Sequence, residues 1–119
     1  RDQAVDAWEK AIAATIVHYI NDTLQDMNAI GTEDYVFEDH AKHWSELKGF
    51  ALALQFNPRA AISDADLVVL HERIGDAPVL DGGDLEAYRE DLLAARTTLG
   101  TAYGFDNADL GDDDGENGW

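Results

Sequence analysis

The densest run of chemically capable side chains is Glu38-Asp39-His40-Ala41-Lys42-His43-Trp44-Ser45-Glu46. On a helix, His40, His43 and Glu46 follow at intervals of three, so each lies within reach of the next. Imidazole nitrogens and a carboxylate can hold a divalent metal such as zinc or iron, or form an acid–base pair with pKa values pushed apart. At about 100° per residue, His40 points with Trp44 towards a core, His43 sits at the edge of that stripe, and Glu46 points further out towards a groove. The plainer alternative is a buried histidine bonded to a neighbour, with Glu46 a solvated carboxylate. A second set is Asp109, Asp112, Asp114 and Glu116, a clustering of the hard oxygen ligands that calcium takes. It does not fit an EF-hand loop, because with Gly115 as the sixth position Leu110 would stand first, where a carboxylate belongs.

Other chemistries find no footing. The chain has no cysteine, hence no disulfide, thiolate zinc site or cysteine nucleophile. Ser45 and Ser63 lack a Gly-x-Ser-x-Gly setting, and Ser63 reads as a helix cap. Asp81-Gly82-Gly83-Asp84 is followed by no Lys-Ser or Lys-Thr to hold phosphate and reads as a turn. Neither the Glu-x-x-His of di-iron bundles nor the His-Glu-x-x-His of zincins occurs. His18 falls beside its helix stripe and is expected at the surface; His71, beside Leu67 and Ile74, is expected to pack on the core. The balance leans away from an enzyme, with a metal-dependent reaction at His43 and Glu46 as the alternative.

These groups must be positioned by helices. In residues 4–30, Val5, Trp8, Ile12, Ile16, Tyr19, Thr23, Met27 and Ile30 step by three and four, which predicts one stripe on a long helix ended by Gly31. Thr32 is expected to cap a second helix over 33–55, with core residues Phe37, Trp44, Leu47, Ala51 and Leu54 and a stop at Asn57-Pro58. Ser63 caps a third helix with Leu67, Leu70 and Ile74, ended by Gly75. Asp84 caps a fourth with Leu85, Tyr88, Leu92, Ala95, Leu99 and Tyr103, ended by Gly104. Strand signals are nearly absent. The expected fold is all-α: an antiparallel bundle of about four helices over residues 1–104, then an acidic tail over 105–119.

Composition narrows the partners. Eight basic against twenty-five acidic residues give a net charge of −17, which excludes a binder of bare nucleic acid or of an anionic membrane surface. The longest largely apolar stretch, 11–17, is far short of the ~20 residues of a membrane span. Six of the acids and no base lie in the tail, which would ordinarily be solvated; a protein partner or a second copy of the chain is one way to hold it. The chain opens at Arg1 without an apolar leader and reads as a piece of a longer precursor.

The stretch His43-Trp44-Ser45-Glu46-Leu47-Lys48-Gly49-Phe50-Ala51-Leu52, followed by Gln55-Phe56-Asn57-Pro58, resembles a bacterial family of uncharacterised surface lipoprotein domains, as does His18-Tyr19-Ile20-Asn21-Asp22. More distantly, His43-x-x-Glu46 resembles the His-x-x-Glu element of imelysin-like, iron-regulated surface proteins, although Ala41 stands where that pattern prefers glycine. The resemblance implies a helical module in the bacterial cell envelope (outer membrane or periplasm) or outside the cell. It implies a binding or interaction role linked to metal uptake, with His43 and Glu46 as the motif pair. A structural subunit of an extracellular assembly, joined through the acidic tail, is the remaining alternative.

Overall fold

A computed structural model describes residues 3–54 and 60–119; the expected stop at Asn57-Pro58 and the motif residues 55–58 lie outside this range. Five helices follow in order: α1 (Gln3–Ala29), α2 (Phe37–Leu54), α3 (Asp64–Ile74), α4 (Leu85–Tyr103) and the single turn α5 (Asn107–Leu110). The fold is all-helical, without a strand among the described residues, and the four longer helices pack together. No helix is long and apolar enough to cross a membrane among the described residues.

The helix ends follow from local chemistry. Ser63 Oγ accepts the Asp66 amide at 3.1 Å, and an Asp84 carboxylate oxygen accepts that of Ala87 at 3.0 Å, so both expected caps satisfy an otherwise unpaired donor. Gly104 stops α4 in the left-handed conformation, φ 68° and ψ 35°, at no steric cost to a residue without Cβ. Thr32 departs from expectation. Its hydroxyl donates to the Ala29 carbonyl at 2.6 Å and accepts the Asp34 amide at 3.2 Å, closing the turn after α1 instead of capping α2. Helix α2 therefore begins at Phe37, later than expected, and its first turn is set by the His40 amide donating to the Val36 carbonyl.

Helix α1 makes its most extensive contacts with α2 and also packs on α4, so it is covered from two sides. Its buried face is correspondingly wider than one stripe. Ala13, Val17, Ile20 and Leu24 form its centre together with Ile16, while the expected Ile12, Tyr19 and Ile30 are only half-buried. The expected Val5 and Trp8 are exposed, as is Phe37 at the start of α2. Helices α2, α3 and α4 supply Leu47, Leu54, Leu70, Ile74, Leu92 and Leu99, each fully or almost fully buried. Full burial of one such side chain stabilises by about 1.5–3 kcal/mol.

A short polar chain ties three helices within this apolar interior. Trp44 Nε1 of α2 donates to the Tyr88 hydroxyl of α4 at 2.8 Å, and that hydroxyl donates to the Ile74 carbonyl at the end of α3 at 2.6 Å. The Trp44 N–H, the Tyr88 hydroxyl and the Ile74 carbonyl are thereby all paired, which is the condition for burying them at little cost. Burial pushes the Tyr88 pKa up to about 12, against the opposing bond from Trp44. Elsewhere, the buried Glu9 carboxylate of α1 accepts the Ala61 amide on both oxygens, at 3.2 and 2.9 Å, and so draws the approach to α3 onto α1.

Candidate functional site

Helix α2 distributes the three expected ligands in different directions. His40 is fully buried, and its Nδ1 lies 2.7 Å from the Tyr35 hydroxyl, with the two rings edge to face. Desolvation lowers its pKa, an effect strengthened by His43 and opposed by Asp26. His43 instead reaches across to α1: Nδ1 donates to Asp26 Oδ2 at 2.6 Å, and Nε2 stands 3.6 Å from Asp22 Oδ2. Glu46 also faces α1, where its carboxylate lies beside the Tyr19 hydroxyl. The pull of that carboxylate on the hydroxyl proton, followed by desolvation and the Glu46 charge, raises the Tyr19 pKa, and the Tyr19 ring stacks on Phe50 with centroids 5.8 Å apart.

The seam between α1 and α2 thus unites His43 with Glu46 but leaves His40 in the core. Three α1 residues complete it. His18 is exposed, as its position beside the stripe predicts, and its Nε2 lies 3.2 Å from the same Asp22 Oδ2. His18, Asp22, His43 and Asp26 form a continuous run in which imidazole and carboxylate alternate across the two helices. The sequence carried a signal for the α1 members: His18, Asp22 and Asp26 recur every fourth residue and so share one face. Which other helix that face would meet was not readable from the spacing. Among the described residues, no three His, Cys, Asp or Glu side chains stand together where one metal ion could be held. Ser45, next to the motif tryptophan, donates to the Ala41 carbonyl of its own helix.

His71 lies against the core, as its spacing predicts, with both ring nitrogens shielded from solvent. Desolvation, with the nearby Lys48 charge, lowers its pKa against a contribution from the Ala51 backbone.

The acidic end is held by its backbone. Arg96 of α4, 6% exposed, donates from Nη1 to Asn21 Oδ1 and to the Asp112 carbonyl, both at 2.8 Å, and from Nη2 to the Gly111 carbonyl at 3.1 Å. Asn21 of α1 passes the connection on, donating from Nδ2 to the Leu110 carbonyl at 3.0 Å and the Trp119 carbonyl at 2.9 Å. Gln25 and Asn28 donate to the carbonyls of Gly115 and Asp114. Burial lowers the Arg96 pKa, against Asp113 and Asp112, which favour the cation.

The carboxylates of this segment play a smaller part. The Asp112 carboxylate accepts the amides of Asp114 and Glu116, each at 3.0 Å, and Asn117 Nδ2 at 3.1 Å. The Glu116 bond foremost, then those from Asn117 and Asp114 and the Arg96 charge, hold its pKa below the usual carboxylate range against desolvation. Asp114 and Glu116 are exposed and Asp109 is half-buried, with its carbonyl accepting the Trp119 amide at 2.8 Å. Gly115, at φ 81°, lies so close to the Asn21 carbonyl that a Cβ would collide with it. Arg96 and Asn21 were missed by the sequence reading, because each looks like an ordinary helix residue until the loop arrives above it.

No protein-family model, curated protein or solved structure matches the chain.

Proposed function

We propose that the chain is a binding module of the bacterial cell envelope, an antiparallel helical bundle whose ligand surface is the α1/α2 seam. The observation that carries this reading is that His43 and Glu46 both turn away from the core onto partly exposed polar partners, Asp26 with Asp22 and Tyr19 respectively. Core packing asks for none of these groups, and burying charged side chains unpaired is costly. The short connections between the long helices support neighbours running in opposite directions. The envelope address rests on the resemblance of the 43–52 stretch to surface lipoprotein domains and of His43-x-x-Glu46 to imelysin-like proteins.

A binding role is favoured over a reaction because His43 has an orienting carboxylate, in Asp26, while the neighbouring serine is bonded into its own helix turn. A base with an orienter still requires a nucleophile within reach. An assembly role through the acidic tail is less favoured, since contacts within this chain already hold that segment. The test is to add iron, zinc, calcium and haem separately to the domain while recording amide resonances, in parallel with peptide and ester hydrolysis assays. The expected result is a saturable shift confined to residues 18–26 and 43–50. Silence along that seam with every probe, accompanied by hydrolysis, overturns the reading.

A further inference from the structure

The loop that Arg96 and Asn21 hold delivers one aromatic side chain to the outer face of α1. Trp119 is anchored through its backbone, the amide donating to the Asp109 carbonyl at 2.8 Å and the carbonyl accepting Asn21 Nδ2 at 2.9 Å. Its indole meets the Phe105 ring edge to face, with centroids 4.8 Å apart, yet Trp119 remains 39% exposed. Where it meets α1 there is an open hollow of about 330 Å3, lined by Ala14, Thr15, His18, Tyr19 and Trp119. The His18 and Tyr19 rings stand 5.0 Å apart at 68° and so form a corner, while Ala14 and Thr15 are small enough to leave space beside it.

Negative charge surrounds this hollow. The Asp22 carboxylate lies 3.2 Å from His18 Nε2, and the charges of Glu46 and Asp22 both bear on the Tyr19 hydroxyl. Aromatic ring faces carry negative electron density and attract cations. Lys10 already shows this attraction, its Nζ standing 5.8 Å from the centroid of the Phe105 ring. The lining surface is mainly carbon, and its polar groups have partners: the Thr15 hydroxyl donates to the Ala11 carbonyl at 2.8 Å, His18 Nε2 faces Asp22, and the Tyr19 hydroxyl lies beside Glu46. A primary ammonium, whose N–H groups require acceptors, gives up water there with little in return, and the hydroxyls of a sugar are no better served. A quaternary ammonium has no N–H to satisfy. We propose that this hollow binds a quaternary ammonium ligand of the choline class, its methylated cation seated against the Trp119, Tyr19 and His18 rings and drawn by the Asp22 and Glu46 carboxylates. The net charge of −17 steers such a cation towards the molecule.

The proposal rests on the α1/α2 seam being a ligand surface and names what its α1 edge takes. It is tested on the full chain by recording amide and indole resonances at low ionic strength during titration with choline. The comparison probes are glucose, ethanolamine and the neutral alcohol in which carbon replaces the quaternary nitrogen. Choline is expected to give a saturable shift at residues 14–19 and at the Trp119 indole N–H, with a dissociation constant on the order of 1 mM for so small a ligand. The neutral alcohol, of the same shape, should bind about 5-fold more weakly or worse. Trp119→Leu is expected to weaken choline about 5–30-fold. His18→Leu, on an exposed side chain outside the loop, should also weaken it and keeps the test informative if Trp119→Leu loosens the loop. Asp22→Asn should weaken it about 2–5-fold, whereas Glu72→Gln, the same change of charge on α3, should leave it unchanged. Absence of a saturable choline shift, equal binding of the neutral alcohol, or a response to glucose or ethanolamine in place of choline overturns the proposal. If iron, zinc, calcium or haem moves the seam while choline does not, this inference alone falls; if no probe moves it, the ligand-surface reading falls as well.

Discussion

Replacing Arg96 by methionine, which keeps much of the side-chain length, removes one guanidinium from beneath the acidic loop. The guanidinium makes three hydrogen bonds, to Asn21 Oδ1 and to the carbonyls of Asp112 and Gly111. Bonds to a charged group contribute about 1.5–3 kcal/mol each, so a plain sum is roughly 4–9 kcal/mol. Two effects reduce it: the cost of burying the cation disappears with the cation, and the loop carbonyls recover water once the loop lifts. We expect a net loss of about 2–4 kcal/mol, equivalent to roughly 30–1000-fold in an equilibrium constant. The assay is amide hydrogen exchange at Asp112, Gly115 and Trp119, whose N–H groups are bonded to Glu116, Asp112 and Asp109. Protection there should fall by that factor, with a midpoint lower by on the order of 10 °C if the loop and helices unfold together. A fall in protection with an unchanged midpoint would mean that the loop opens as a separate unit. Unchanged protection at all three amides refutes the argument that Arg96 holds the loop.

Tyr88→Phe leaves both Trp44 Nε1 and the Ile74 carbonyl without their partner in a buried site, and should cost about 2–4 kcal/mol in urea unfolding with no change in the slope m. Gly115→Ala pushes a Cβ into the Asn21 carbonyl at a positive φ, and should displace the loop while leaving the core resonances of Leu92 and Leu99 in place, as seen by NMR. The lowered pKa of His40 means that the unfolded chain takes up a proton more readily than the folded one. Stability should therefore be fully present above about pH 6.5 and fall as pH drops through the lower folded value, and His40→Gln should flatten that fall in unfolding midpoints measured across pH. The depressed pKa of Asp112 acts in the same direction at lower pH: its contribution is present above the ordinary carboxylate value of about 3.9 and lost as pH falls through the folded one. Asp112→Asn should therefore make loop protection less sensitive to acid.

The helices were legible because their signals are local. Ser63, Asp84 and Gly104 do at the helix ends what their residue types favour, and Leu92, Ala95 and Leu99 fall on one face through the 3.6-residue repeat alone. Thr32 misled because a threonine can close the turn it follows as readily as cap the helix it precedes, and the Ala29 carbonyl was the nearer partner. The stripe on α1 was read too narrowly, since periodicity reveals a face but not how many neighbours cover it. In the site, the spacing of His40, His43 and Glu46 already indicated diverging directions, because a rotation of about 300° over three residues moves each successive side chain by roughly 60°. The structure agrees, with His40 buried and His43 and Glu46 half-buried.

From the residues alone, an acidic, helical, cysteine-free chain followed, with its caps, most of its core and a polar motif on the second helix. Those properties depend on near neighbours in the chain and on composition. Tertiary structure decided that His43 meets Asp22 and Asp26, that Glu46 meets Tyr19, and that Arg96 and Asn21 hold a loop rich in carboxylates by its carbonyl oxygens. Each pairing joins groups at least 15 residues apart, and no local propensity encodes which face of one helix comes to rest against another. That choice belongs to the packing of the whole chain, where a buried donor takes whichever acceptor the fold brings to it.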